Sequence, residues 1–296
     1  MPRSVSETAW VALKGDACNH WRSEMSDQRV VLITGASSGV GQSTARLLSQ
    51  RGYKVFGTSR HSTTAESTPA VEMLPLDVRA DDSVRACVEA VVNRSGRLDV
   101  LINNAGYELA GALEELSSEE ARAQFETNFF GVVRMVDAAL PLMRRQKRGH
   151  IINVSSLAGL SAIPFLGLYS ASKFALEGYT EALRHEVTPF NIQVSMTEAG
   201  FLRTPMMHNR QVGAHRITDY DPWRQRALNA IRASEEKAPG PEVVANTLLE
   251  IVSSKTPRLR YLIGSQAKSV TRLRRFLPAG VFERGVRRSF SLDGTQ

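Results

Sequence analysis

Short runs of β-branched and aliphatic residues alternate along the chain with longer stretches whose apolar positions recur at helical spacing. That alternation predicts a single α/β domain with a doubly wound parallel sheet, covered on both faces by the helices that join its strands. Val30-Val31-Leu32-Ile33-Thr34 reads as the first strand, Lys54 to Thr58 as the second and Val71 to Leu76, ending at Asp77, as the third. Asp99-Val100-Leu101-Ile102, His150-Ile151-Ile152-Asn153-Val154 and Ile192-Gln193-Val194-Ser195-Met196 follow, and Arg260-Tyr261-Leu262-Ile263 brings the sheet to about seven strands. Helical spacing runs from Gly41 to Gln50, Asp82 to Asn93, roughly Glu119 to Arg145, and Tyr169 to Val187. Pro141 lies inside the third of these and is expected to kink or end it, and Pro189 stops the fourth.

Between the first strand and the first helix the chain reads Thr34-Gly35-Ala36-Ser37-Ser38-Gly39-Val40-Gly41. Glycines in that position let backbone N–H groups approach a pyrophosphate at the positive end of a helix dipole. Their spacing, Gly-x-x-x-Gly-x-Gly, differs from the Gly-x-Gly-x-x-Gly of the Rossmann fingerprint. Three more segments follow in order: Asn103-Asn104-Ala105-Gly106 after the fourth strand, Ser156 at the end of the fifth, and Tyr169 four residues before Lys173. Residues four apart emerge on one helix face, and an ammonium beside a phenol favours the phenolate.

This ordered set resembles the short-chain dehydrogenase/reductase family over roughly Gln28 to Thr204, and the chain as a whole looks like that family's hydroxysteroid- and retinol-dehydrogenase-like branch. The resemblance implies a Rossmann-like fold, a nicotinamide dinucleotide and interconversion of a carbonyl and an alcohol. It makes Tyr169 the general acid of reduction and the base of the reverse reaction, with Lys173 tuning it and holding the nicotinamide ribose. Ser156 matches the serine that orients the substrate oxygen, and its neighbour Ser155 competes for that role. Asn128, within Glu126-Thr127-Asn128-Phe129-Phe130-Gly131, matches an asparagine that holds a water beside the lysine. The implied cofactor contacts are Gly35, Ser37, Ser38, Gly39, Val40 and Gly41 at the pyrophosphate, Asp77 and Val78 at the adenine, and Asn104, Ala105 and Gly106 along the ribose. Gly200 and Thr204, in Glu198-Ala199-Gly200-Phe201-Leu202-Arg203-Thr204, lie beside the nicotinamide amide, with Ala199 replacing the family's usual proline.

The second strand ends in Gly57-Thr58-Ser59-Arg60, where an NAD enzyme carries an acid for the ribose 2′-hydroxyl. Ser59 and Arg60 suit a 2′-phosphate instead, so NADP(H) is expected over NAD(H); the competing reading makes Arg60 a solvated loop residue. Pro205 to Pro241 is expected to be an irregular lid over the active site, with Phe201, Met206, Met207 and Trp223 lining an apolar pocket for a lipophilic ketone or aldehyde such as a steroid, retinoid or fatty carbonyl. Acyl thioesters, sugars, and cofactor sensing without turnover are the alternatives.

Of the 296 residues 42% are apolar and 23% charged, and no apolar run approaches the roughly eighteen needed to cross a bilayer. In the first 24 residues Trp10-Val11-Ala12-Leu13 is too short for a secretory core. The expectation is a soluble cytoplasmic protein whose residues 1–24 are a disordered extension or, alternatively, a docking arm, with a catalytic domain over 25–264 and an amphipathic basic extension over 265–296. Cys18 and Cys87 lack disulfide or zinc spacing, and the histidines, His150 and His185 among them, lack ligand spacing, so no metal site is expected. The net charge of +7 sits at one end: ten Lys and Arg fall between Lys255 and Arg288, with Glu283 as their only acidic neighbour. That extension reads as a cap on the pocket or subunit surface, as a peripheral contact with anionic lipid, or as a nucleic-acid contact, the last being disfavoured. A homodimer or homotetramer is expected to pair through the long helices before and after the fifth strand.

Overall fold

The computed structural model describes residues 28–60, 71–207 and 209–293, so the expectations for residues 1–24 and Cys18 lie outside the described residues. Among them, nine strands form two sheets. The large one is wholly parallel, in the order β3-β2-β1-β4-β6-β7-β9. Its strands are β1 (Val30–Ile33), β2 (Lys54–Ser59), β3 (Val71–Pro75), β4 (Val100–Asn103), β6 (Gly149–Ser156), β7 (Ile192–Ala199) and β9 (Arg260–Ile263). The small one pairs β5 (Leu109–Ala110) with β8 (Gln211–Val212), a pairing too short to leave a hydropathy signal.

Among the described residues nine α-helices connect and flank the strands: α1 (Gly39–Gln50), α2 (Asp81–Ser95), α3 (Ser118–Phe125), α4 (Gly131–Gln146), α5 (Gly167–Val187), α6 (Asp221–Glu236), α7 (Glu242–Ser253), α8 (Gly264–Phe276) and α9 (Ala279–Ser289). Side chains alternate across a strand, so β1 feeds two cores at once. Val30 and Leu32 pack with Val84 and Val91 of α2, Met135 and Ala139 of α4, and Leu176 and Leu183 of α5. Val31 and Ile33 point the other way, onto Ala45 and Leu48 of α1 and Val244, Leu248 and Ile251 of α7. Burial on both faces is why these strands read as continuous apolar runs.

β1 pairs with β2 on one side and β4 on the other. The chain therefore reverses its direction of travel at β1, and a crevice opens there beyond the carboxyl ends of the strands.

The stretch expected as one helix with a fault at Pro141 differs in detail. Pro141 sits inside α4, which runs on to Gln146 because Met135, Val136, Ala139 and Met143 anchor it in the core. The irregularity comes earlier, as a π-helical turn over Glu126–Phe130 between α3 and α4. The segment 205–241 is also more ordered than expected, since α6 fills its second half. Trp223 is not part of the pocket wall; the Arg226 guanidinium lies 4.9 Å above its ring.

Candidate active site

Everything converges on the crevice at the ends of β1, β4, β6 and β7, where a cavity of about 650 Å³ opens. Thr34 follows β1, and its Oγ1 accepts the backbone N–H groups of Asn104 at 2.9 Å and Ala105 at 3.0 Å. The Asn104 side chain reciprocates, its Nδ2 donating at 2.9 Å to the carbonyls of both Thr34 and Gly35. The glycine turn is thus tied to the loop after β4. Gly35 has φ +67°, and a Cβ there would lie 2.9 Å from Ala105 Cα; at Gly41 it would lie 2.2 Å from the Gly35 carbonyl oxygen. Only glycine fits either place.

These residues fit a dinucleotide. Gly35, Ser37, Ser38, Gly39 and Val40 line the cavity where α1 begins, and Ser38, the N-cap, makes no side-chain cap to the helix. Ser59, Arg60, Asp77, Val78, Asn104, Ala105, Gly106, Gly200 and Thr204 line it as well, together with Ser156, Tyr169 and Lys173. Two expected residues do not. Gly41 acts one layer back through the turn, and Asn128 lies behind the loop at 1% exposure.

The π turn aims Asn128 at that loop. Its Oδ1 accepts the Tyr107 N–H at 3.1 Å, while its Nδ2 donates to the Tyr107 carbonyl at 3.0 Å and to Ser172 Oγ at 3.2 Å. The side chain expected to hold a water beside the lysine is engaged in fixing the backbone that follows Gly106.

Tyr169 and Lys173 sit one turn apart on α5, both buried. Lys173 Nζ donates to the Val154 carbonyl at 2.9 Å and lies 5.9 Å from the Tyr169 ring centre. Burial lowers its pKa to about 8 against the pull of Glu177 and Glu108. Burial holds the Tyr169 phenol above its ordinary range, helped by the Glu108 carboxylate and opposed by the Ser156 hydroxyl and Arg210. The phenol therefore keeps its proton at neutral pH.

The two adjacent serines point to different partners. Ser155 Oγ donates to Glu177, whose carboxylate also pairs with Arg260, whereas Ser156 Oγ caps the Ala158 N–H at 3.1 Å and reaches the phenol. Asn103 is structural: its Nδ2 donates at 2.9 Å to Asn153, which passes the chain of bonds on to Thr180.

Several residues of the cavity escaped sequence reasoning. Arg79 lines it and grips Asp77 through two parallel hydrogen bonds of 2.9 and 2.6 Å, holding that carboxyl at about pKa 2. Its position two residues beyond Asp77 is a usable signal. Glu108 and Glu235 also line the cavity, and Arg210 bridges them. Glu235 comes from α6, 127 positions beyond Glu108, and no local pattern joins them. His150, buried and bonded to Ser195 Oγ at 3.1 Å, has its pKa lowered to about 3 by burial and stands away from the cleft. Among the described residues no cluster of His, Cys, Asp and Glu is arranged to hold a metal.

The family model for the short chain dehydrogenases matches residues 29–214. The chain belongs to the short-chain dehydrogenase family. A Bacteroides thetaiotaomicron protein named 3-ketodihydrosphingosine reductase is 45% identical over 80% of this chain and 88% of its own length. Bovine retinol dehydrogenase 8 is 37% identical over 85% and 86%. Among solved structures, ElxO with NADP bound superposes with a TM-score of 0.70 at 25% identity, over 82% of this chain and 99% of that one. A Burkholderia phymatum short chain dehydrogenase in complex with NAD gives 0.72 at 27% identity, over 84% and 93%. The protein is an NAD(P)-dependent oxidoreductase acting on CH–OH groups.

Proposed function

We propose that the protein is an NADP(H)-dependent carbonyl reductase, or alcohol dehydrogenase in the reverse sense, for a lipophilic ketone or aldehyde. The observation that carries this reading is the meeting of Ser156, Tyr169 and Lys173 in one cavity with the glycine turn. The bound nicotinamide supplies or accepts the hydride. Ser156 orients the substrate oxygen, and the protonated Tyr169 phenol donates to it as the alcohol forms. Lys173 holds the ribose side of the site, and Asn128 is a positioning residue acting through the Tyr107 backbone.

Preference for NADP(H) is supported by the end of β2, where Ser59 and Arg60 border the cavity and no Asp or Glu stands among the described residues 57–60. Asp77, on which the Arg60 charge acts, is engaged by Arg79. Phe201, Met206 and Met207 give the other end of the cavity an apolar wall, which suits a bulky hydrocarbon. The relatives named for a keto lipid and for retinol agree with that choice.

The C-terminal extension serves the same site. Gln266 of α8 accepts the Phe201 N–H at 3.3 Å, and Phe290 packs against the cluster containing Tyr169 and Ile231, so the extension caps the pocket rim. Its outer surface, with Leu273, Phe276, Leu277 and Val281 exposed among arginines, is read as a peripheral contact for anionic lipid. Pairing of two chains through α4 and α5 is supported by Phe130, exposed at the end of the π turn that leads into α4, and by Phe174 of α5, partly exposed beside Arg274.

The test is oxidation of NADPH and NADH with a panel of steroid, retinoid, aliphatic, quinone and acyl-thioester carbonyls, with Tyr169→Phe as control. Turnover on lipophilic ketones that favours NADPH and disappears in the variant is the expected result. Tight cofactor binding without turnover across the panel overturns it.

A further inference from the structure

Tyr169 and Lys173 continue along α5 into Glu177 and Glu181, each one turn farther on. Glu177 is buried, and its carboxylate accepts the Ser155 hydroxyl from β6 and an Nη1 proton of Arg260 from β9. The same guanidinium donates to Glu198 of β7 at 2.6 Å and, through Nη2, to Glu181 at 2.5 Å. Anchoring β9 to α5 and β7 therefore needs only Glu181 and Glu198. Glu177 is a third acid on one guanidinium, and it stands one turn from the lysine of the site.

The charges around it balance. Glu177, Glu181 and Glu198 share Arg260 and the nearby Lys173, and burial pushes the fully buried Glu198 up to about 7, so this acid takes the remaining proton near neutrality. Burial also raises Glu177, but Ser155, Arg260 and Lys173 all oppose it. Glu177 is thus the charged member of the buried pair. Lys173 has need of such a neighbour, because a buried ammonium sheds its proton unless an opposite charge or hydrogen bonds hold it. Its Nζ donates to the Val154 carbonyl at 2.9 Å, and the Tyr169 phenol, one turn back, keeps its proton. Of the two carboxylates that act on Lys173, Glu177 acts more strongly, and Glu108 is already bonded to Arg210. Resting on the reductase reading above, we propose that Glu177 is a positioning residue for the reaction: held by Ser155 and Arg260, its carboxylate keeps Lys173 an ammonium at the ribose side of the cofactor site.

The experiment follows kcat/KM for reduction of a saturated long-chain methyl ketone by NADPH, at pH values on both sides of 8. The wild-type profile should fall near pH 8 as Lys173 loses its proton. Glu177→Gln removes the charge yet can still accept the Ser155 hydroxyl, and Glu198, no longer repelled by Glu177, then pairs fully with Arg260. In that variant the fall should move about one pH unit lower. Glu198→Gln, which removes an acid bound to the same guanidinium, should leave the fall in place. A fall that stays put in Glu177→Gln while turnover drops at every pH marks a structural role and overturns the inference. A fall that moves equally in Glu198→Gln, or a wild-type profile flat through pH 8, overturns it as well. Should Glu177→Gln fail to fold, Glu177→Asp and Glu177→Asn, alike in size and different in charge, take its place, and coincident profiles overturn the inference. Absence of wild-type turnover on every carbonyl removes the reductase reading instead, so the two failures are distinguishable.

Discussion

Ser155 donates its hydroxyl proton to Glu177, and that bond decides which of two neighbouring serines faces Tyr169. Both serines border the cavity, but successive residues at a strand end point to opposite sides, and with Ser155 committed to the Glu177–Arg260 pair it is Ser156 that reaches the phenol. Ser156→Ala should lower kcat about 100-fold, the scale for removing one donor to a developing oxyanion, with little change in melting temperature. Ser155→Ala should do the reverse, costing about 1–3 kcal/mol of stability by stranding part of a buried network while disturbing turnover far less. Steady-state kinetics and thermal melts on both variants check this, and equal kinetic losses would contradict the assignment.

Burial keeps the Tyr169 phenol protonated and brings Lys173 down to about 8. The lysine is therefore an ammonium below that pH and loses its proton as pH rises through it, while the phenol is still protonated. For the reduction direction kcat/KM, which reports the free enzyme, should fall with one proton lost near pH 8. Lys173→Arg, whose charge does not titrate in this range, should be slow but lack the fall near 8. Tyr169→Phe should reduce kcat by about 10²–10⁴ while cofactor binding, read by fluorescence, stays within a few-fold.

How far the sequence discloses this site follows from how local each signal is. The glycine turn, the Ser156, Tyr169 and Lys173 spacing and the seven strands are legible because each depends on residues within one or two elements. The serine choice is not, since it depends on Glu177 and Arg260, which reach Ser155 only in the folded sheet. Asn128 was found by its motif, yet its contacts with Tyr107 and Ser172 follow from the π turn, which has no compositional mark. The Glu108–Arg210–Glu235 cluster joins the loop after β4, the segment entering β8 and the end of α6, so tertiary packing alone assembles it.

Asn104 holds the glycine turn through two side-chain hydrogen bonds, and its amide also fills the space that a Cβ on Gly41 would need. Asn104→Ala should leave the Thr34 and Gly35 carbonyls without these donors, costing about 1–3 kcal/mol and loosening the turn. Cofactor affinity should weaken together with stability. A variant as stable as wild type in denaturant titration, with unchanged NADPH affinity, would show that the clamp is dispensable.

Arg60 is exposed at the end of β2 and faces the cavity mouth, while the other arginine there, Arg79, is bound to Asp77. The two guanidiniums are therefore not equivalent. Arg60→Asp should weaken NADPH by roughly 10–100-fold, the worth of a charge-assisted pair, and NADH far less. Titration of both cofactors by intrinsic fluorescence decides it, and equal losses would remove the 2′-phosphate assignment.

The outer surface of the C-terminal extension concentrates apolar and basic groups in one place. Phe276 is 75% exposed, and Leu273, Leu277 and Val281 around the junction of α8 and α9 are exposed with it. Arg272, Arg275, Arg284 and Arg288 are exposed on the same two helices, and Arg274, also exposed, donates to the Leu160 carbonyl and lies over the Phe174 ring. No described helix is long and apolar enough to cross a membrane. Each basic group near an anionic bilayer contributes about 1 kcal/mol, and salt screens that attraction over roughly 10 Å. The protein should therefore sediment with phosphatidylserine vesicles at low salt, release as salt rises, and ignore phosphatidylcholine. Phe276→Asp should weaken the residual salt-resistant part and Arg275→Glu the salt-sensitive part, which separates insertion from charge. Binding to neither kind of vesicle at low salt would leave the pocket cap, supported by the contacts of Gln266 and Phe290, as the role proposed for the extension.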